Sequence, residues 1–148
     1  MLTKAIVRTE HAPSPKGPVL TRCHRRRSGL CCRARPCDRQ SGELRLGDIR
    51  SECEITLKNT DAILTGLENV VGCRVYLADL KDFAAMNEIY RRFFPGSSLA
   101  RTTVGAGSLL HGIKIEIDAV ALAGDRKRGR AHRAGRSRSA GSRRKRRR

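Results

Sequence analysis

Alternating apolar and charged residues mark the clearest element of the chain, at residues 113–122. Isoleucine occupies every second position at the start of this stretch, and charged residues lie between, a period of two that predicts a β-strand with one buried face. Residues 70–78 are mostly apolar and predict a second, buried strand. Residues 4–8 and 102–106 predict two shorter strands.

Two other segments carry apolar residues at helical spacing. Residues 48–67 follow this pattern, and Asp48 precedes it as an N-cap residue that can accept a hydrogen bond from the first turn. A second helix is predicted to begin at Asp79 and to run to about residue 93. Pro95 and Gly96 follow it, and both residue types commonly end helices.

From residue 48 onward the predicted order is helix, strand, helix, strand, strand. This order predicts a single α/β (α+β) domain with a mixed sheet and two helices on one face. The chain supplies no cover for the other face of that sheet. We therefore expect the protein to oligomerise, with sheet faces packed around a shared centre.

The charge of the chain lies in two segments. The formal net charge is +18, which favours polyanionic partners. Residues 20–37 hold six Arg and no acidic residue, and residues 125–148 hold thirteen Lys or Arg and one acidic residue. Elsewhere the chain holds 13 basic and 13 acidic residues, so its charge is balanced there. Nonspecific nucleic-acid binding is expected through residues 125–148 at low salt.

Neither basic segment shows the pattern of a packed element. Residues 20–37 fit no period, so we expect an aberrant basic segment in place of a strand. Residues 125–148 contain few apolar residues, and we expect a disordered Arg-rich tail. No run of about 18 apolar residues and no apolar core of a secretory signal occurs, so we expect a cytoplasmic protein with no membrane span.

The cysteines divide in the same way. Four of the six lie in residues 20–37, without the Cys-x-x-Cys spacing of zinc ligands, so we expect no metal site. Cys53 and Cys73 lie elsewhere, and we expect them to be reduced residues of the core.

Seven short motifs occur along residues 1–18 and 38–124. They are residues 9–18 (TEHAPSPKGP), 41–43 (SGE), 47–49 (GDI), 75–79 (VYLAD), 82–90 (DFAAMNEIY), 100–104 (ARTTV) and 115–119 (IEIDA). In this order and spacing they resemble the Rid family, the YjgF-like reactive-intermediate deaminases. The resemblance identifies residues 1–124 as a Rid-like domain.

The resemblance implies a chorismate-mutase-like fold and a homotrimer with active sites in the clefts between subunits. It also implies hydrolysis of small 2-imino or enamine acids, such as 2-aminoacrylate or 2-iminobutanoate, to 2-oxo acids and ammonia. No cofactor is implied. The alternative is a non-enzymatic stress or RNA-associated binding protein that uses the basic tail.

The resemblance also assigns the two principal site residues. Arg101 matches the substrate-binding arginine, and a guanidinium can hold a carboxylate through two parallel hydrogen bonds. Glu116 matches the catalytic acid, which can hold a water and transfer its proton. The alternatives are a solvated arginine at a strand start and an exposed glutamate paired with Lys114. We expect Arg101 and Glu116 to face one intersubunit crevice; side chains on opposite sides of the sheet, or far from any subunit contact, would overturn the deaminase interpretation.

Three further residues match the family pattern, and one is a weaker candidate. Thr103 is predicted to line the pocket and bind substrate, and Gly17 is predicted to let a loop turn close to it. Asn87 is predicted to be structural near the site. Asp118 lies on the same strand face as Glu116 and is the weaker candidate for its role.

The sequence departs from the family at two places. Val19 stands where relatives carry Tyr, and residues 30–37 stand where relatives carry a strand ending in Ser-Gly-Gln. Activity is therefore expected to be impaired. A change of reading frame would account for both basic segments, since codons permitted for residues 31–35 can spell Leu-Ser-Gly-Gln one base later.

Overall fold

The computed structural model describes residues 4–6, 22–25, 29–64, 66–96 and 99–122, with side chains from residue 32 onward. The strands are β1 (Lys4–Ile6), β2 (Arg22–Arg25), β3 (Gly29–Ala34), β4 (Val70–Leu77), β5 (Ala100–Gly105) and β6 (Ile115–Ala121). The α-helices are α1 (Ile49–Leu64) and α2 (Phe83–Phe93).

The six strands form one sheet in the order β1-β2-β3-β6-β4-β5. All neighbouring strands are antiparallel except β4 and β5, which are parallel and are joined by the crossover through α2. The sheet is therefore mixed, and the predicted fold class, with two helices on one face, is confirmed. In the described chain β5 is an edge strand.

An aspartate side chain caps the first helical turn of each of the two predicted helical segments. The Oδ1 atom of Asp48 accepts a hydrogen bond from the Ser51 amide at 2.8 Å, as expected of an N-cap residue. Asp79 caps in the same manner, accepting from the Lys81 amide at 2.9 Å, but the turn that follows is the 3-10 turn Leu80–Asp82. The predicted second helix is therefore α-helical only from Phe83.

The core lies between the helices and one face of the sheet. Ile115 and Ile117 are fully buried, and Glu116 between them points to the opposite face, as the period of two predicts. Cys53 on α1 and Cys73 on β4 are buried thiols outside any disulfide, which confirms them as reduced core residues. In the described chain, neither α-helix has the length and apolar character needed to cross a membrane.

The expectation that residues 20–37 form no strand is wrong for the described part of this segment. β2 and β3 lie within it, and β3 pairs with β6 from Leu30 to Ala34. Cys32 and Ala34 are buried against the core, whereas Arg33 between them points to the other face. Small apolar residues at every second position are sufficient for a strand packed beneath α1, whatever lies between them.

Several predictions concern residues outside the described part of the chain. These are the end of the first predicted strand at residues 7–8, the loop that contains Gly17, and the tail at residues 125–148.

Candidate functional site

Arg101 lies on the helix side of the sheet, over α2. The pairing of β4 with β5 places it beside Cys73, whose side chain faces the core. Its Nη1 atom donates a hydrogen bond to Asn87 Oδ1 on α2 at 2.6 Å. The predicted role of Asn87 as a structural residue near the site agrees with this contact, because the amide oxygen fixes one end of the guanidinium.

Two aromatic rings of α2 also contact the Arg101 guanidinium. The Cζ atom of Arg101 lies 4.7 Å from the centroid of the Tyr90 ring and 5.8 Å from that of Phe83. Both distances are within the range of cation–π attraction. Tyr90 is buried and Phe83 is partly exposed, so the guanidinium sits where the core meets the surface.

Thr103 lies two residues further along β5 and therefore on the same face as Arg101. Its Oγ1 atom is buried and has no hydrogen-bond partner among the described residues. A buried hydroxyl without a partner is unfavourable, and a ligand that bonds to it would remove that cost. Arg101, Asn87 and Thr103 thus form a half-site suited to a small anion.

Glu116 lies on the opposite face of the sheet, which we call the open face because no described element covers it. The Glu116 side chain is 14% exposed, and its Oε1 atom lies 3.1 Å from Arg33 Nε. The same Nε donates to Asp118 Oδ1 at 2.6 Å, and Arg33 Nη2 donates to Asp118 Oδ2 at 3.0 Å. The hydroxyl of Tyr76 also donates to Asp118 Oδ2, at 3.1 Å.

Opposing influences act on the ionisation of Glu116. Burial raises the pKa of its carboxyl group, and the neighbouring Asp118 adds to the rise, whereas Arg33 and Arg35 lower it. The net pKa of Glu116 is raised. The same cluster raises the pKa of Arg33, chiefly through its hydrogen bond to Asp118.

The structure therefore separates the two principal predicted residues. Within one chain, Arg101 faces the helices and Glu116 faces away from them, because the register puts Arg101 beside Cys73 but Glu116 beside Tyr76. Within one chain the two side chains lie on opposite sides of the sheet, the arrangement given above as overturning the deaminase interpretation, so that interpretation now depends on a crevice shared between copies, which stays a prediction. A site that uses both residues has to take them from two copies.

A groove of about 730 Å³ opens on the same open face. Arg33, Arg74, Thr102 and Asp118 contribute to its walls, and neither Arg101 nor Glu116 does. Among the described residues, no group of three or more His, Cys, Asp or Glu side chains is placed to hold a metal ion.

Sequence reasoning missed Arg33, although one signal pointed to it. The two-residue period of Cys32 and Ala34 turns Arg33 to the open face, and the same period on β6 turns Glu116 and Asp118 to that face. These charged side chains meet because of the register in which β3 pairs with β6. That register results from long-range pairing and cannot be predicted from the local sequence pattern.

The fold defines a small α/β protein with a mixed sheet and two helices on one face. The family model described as Endoribonuclease L-PSP matches residues 28–123. The chain belongs to this family, which is the YjgF/Rid family. The match begins one residue before β3, so it includes the second half of the basic segment.

Relatives of known name agree with this assignment. The 2-iminobutanoate/2-iminopropanoate deaminase of Mus musculus is 33% identical over 127 residues, covering 83% of this chain and 94% of the relative. A RutC family protein of Pyrococcus horikoshii is 36% identical over 122 residues, covering 80% of this chain and 97% of the relative. The solved structure of YyfA, a Rid-family protein of unknown function from Yersinia pestis, has a TM-score of 0.76 at 27% identity, covering 81% of this chain and 99% of that one.

Proposed function

We propose that this protein hydrolyses small 2-imino acids or their enamines to 2-oxo acids and ammonia, without a cofactor. The observation that carries the proposal is the Arg101 half-site, in which a guanidinium held by Asn87 lies on the same face of β5 as the Thr103 hydroxyl, which has no hydrogen-bond partner among the described residues. The mouse relative is named for this reaction.

The half-site suits the carboxylate of such a substrate. Asn87 occupies Nη1 of Arg101, which leaves its Nε and Nη2 donors without hydrogen-bond partners among the described residues. Two parallel N–H groups match the two oxygens of a carboxylate. The Thr103 hydroxyl supplies a further hydrogen bond to a bound substrate.

The second half of the proposed site is Glu116 of a neighbouring copy. β5 is an edge strand of the described sheet, so Arg101 can approach another protomer. The open face also exposes apolar side chains, Val104, Val120 and Leu122, that assembly would cover. The proposed assembly is a homotrimer in which the edge of one copy meets the open face of the next.

In the proposed reaction, the Glu116 carboxylate takes a proton from water as the water oxygen bonds to the imine carbon. The C=N electron pair moves to nitrogen, which takes up a proton from solvent water. The resulting carbinolamine then expels ammonia as its hydroxyl releases its proton to solvent and becomes the carbonyl of the 2-oxo acid. Glu116 supplies the proton to the departing nitrogen and is restored as the carboxylate.

The test is the rate of ammonia release from a freshly generated 2-imino acid, measured above the spontaneous rate. Arg101→Ala is expected to lower kcat/KM by at least about tenfold, because a charge-assisted pair to the substrate is lost. Arg45→Ala is the matched control, since Arg45 is an exposed arginine that pairs with Asp38 in a loop outside both half-sites. Equal rates for Arg101→Ala and the unaltered protein would refute the proposed deaminase activity.

A complementation experiment tests the two-copy site. Arg101→Ala and Glu116→Gln are each expected to be inactive, and unfolding and refolding them together as an equal mixture should restore about one quarter of the activity, because random assembly unites intact halves at that frequency. If Arg101 and Glu116 acted in different reactions, or the site used one chain, mixing would restore nothing.

A second candidate is an RNA-associated binding protein. It is favoured by the description of the family model as an endoribonuclease and by the thirteen basic residues at 125–148. Removing residues 125–148 distinguishes the two. RNA binding that disappears with the tail is nonspecific charge attraction, whereas RNA binding that survives would favour this second function.

A further inference from the structure

The two neighbours of Arg33 in β3 determine the face of the sheet to which its side chain points. Cys32 and Ala34 on either side are buried beneath α1, so the alternation of the strand turns Arg33 to the open face. The pairing of β3 with β6 then places it directly beside Asp118. A large cation therefore lies within the proposed catalytic half-site.

The contacts of Arg33 occupy both carboxylates of β6. Its Nε atom lies 2.6 Å from Asp118 Oδ1 and 3.1 Å from Glu116 Oε1. The carboxylate side chains are 23% and 14% exposed, respectively, whereas the Arg33 side chain is 62% exposed. The guanidinium is thus the most exposed member of this cluster, in contact with two carboxylates that are largely buried.

Other charged and titratable groups near Glu116 do not replace this contact. On β4, the Tyr76 hydroxyl donates to Asp118 rather than to Glu116. Directly after β3, Arg35 acts on Glu116 through its charge, and on β6 the charge of Asp118 opposes that of Glu116. Arg33 is therefore the group that both contacts Glu116 and favours its charged form.

We propose that Arg33 is an internal competitor for Glu116, a positioning residue whose guanidinium holds the carboxylate away from the reacting water and restrains the deaminase. This inference rests on the proposed function. Arg33 donates its hydrogen bonds to Asp118 and pairs with Glu116 through charge, and a carboxylate beside a guanidinium is a weaker base because the positive charge favours its ionised form. The chain thereby keeps the base that the reaction needs but limits its use.

Replacing Arg33 tests this competition in two ways. Arg33→Ala is expected to raise kcat/KM for imine hydrolysis about tenfold, which corresponds to about 1.4 kcal/mol. The same variant is expected to raise the titration midpoint of the Glu116 carboxyl by about one pH unit or more. This midpoint can be followed by NMR with ¹³C-labelled glutamate, with the Glu116 signal assigned by means of Glu116→Gln. The acid limb of the activity profile should move with that midpoint, a change that loss of packing alone would not produce.

The control is Arg45→Ala. Arg45 has a similar exposure of 59% and pairs with Asp38 at 3.1 Å in a loop outside both half-sites. It is expected to change neither the Glu116 midpoint nor kcat/KM. Arg33→Gln keeps most of the side-chain length without the charge, and it replaces the alanine variant if that variant does not fold.

The outcomes separate this inference from the proposed function. An unmoved Glu116 midpoint, or an unchanged or lower kcat/KM beside an active unaltered protein, overturns the role of Arg33. A midpoint that moves while neither the unaltered protein nor the Arg33 variants hydrolyse the imine overturns the proposed function, and the catalytic part of this inference with it.

Discussion

Glu52 gives the sharpest prediction about the fold, because it joins α1 to the strand that carries Glu116. Its side chain is fully buried on the inner face of α1. Oε1 accepts a hydrogen bond from the Gly47 amide at 3.0 Å, and Oε2 accepts one from the Lys114 amide at 2.7 Å. Lys114 directly precedes β6, so this carboxyl group fixes where β6 begins.

The magnitude follows from these two bonds. Glu52→Ala leaves two backbone N–H groups without acceptors, at about 1–3 kcal/mol each, so the free energy of unfolding should fall by about 2–6 kcal/mol. This is a large share of the roughly 5–15 kcal/mol that stabilises a typical domain. Glu52→Gln keeps one acceptor oxygen and should lose about half as much.

The assay is urea denaturation followed by circular dichroism, at a fixed protein concentration since assembly contributes to stability. Glu54→Ala is the matched control: Glu54 lies on the same helix, is exposed, and pairs with Lys58 four residues on, a contact worth about 0.3–0.5 kcal/mol. Amide hydrogen exchange should accelerate at Gly47 and Lys114 in Glu52→Ala alone. If the Glu52 and Glu54 variants lost the same stability, the capping role of Glu52 would be refuted.

Two further predictions concern pH. Burial raises the pKa of the Cys53 thiol to about 12, above its ordinary value of 9.0, so the folded protein should lose stability as the pH rises from about 9 towards 12. Cys53 should also resist alkylation at pH 8 until urea unfolds the chain. Mass spectrometry of the labelled protein checks this, and rapid labelling of the folded protein would contradict it. The pKa of Asp38 is lowered to about 2, chiefly by a hydrogen bond from the Ser41 amide and then by Arg45 and the Gln40 amide. The loop that Asp38 organises should therefore be stable above about pH 4 and should loosen as the pH falls towards 2. An NMR titration midpoint for Asp38 near 4 would contradict this.

The elements with a strong period could be predicted from sequence. The isoleucines of β6 and the capped apolar stripe of α1 both gave the correct type of element, because each buries one face against the same core. β3 could not be predicted in this way. Its buried residues are the small Cys32 and Ala34, and its arginine content resembles that of an unpacked segment.

The site was predictable only in part. The resemblance selected Arg101, Thr103 and Asn87, and the structure brings these three residues together on the helix side of the sheet. It also selected Glu116, but the face on which each residue lies depends on the strand registers. Those registers follow from long-range pairing, which the local pattern does not contain.

The stacking of Arg101 on Tyr90 has a consequence for affinity. A free arginine side chain carries about 2 kcal/mol of rotamer entropy, which binding an anion normally removes. Here Asn87 and the ring have already restricted those rotamers during folding, so the guanidinium is preorganised and a ligand loses less freedom on binding. In the proposed site, a small anion would therefore bind with a smaller entropic cost, and only anions that match the existing orientation of the guanidinium would fit.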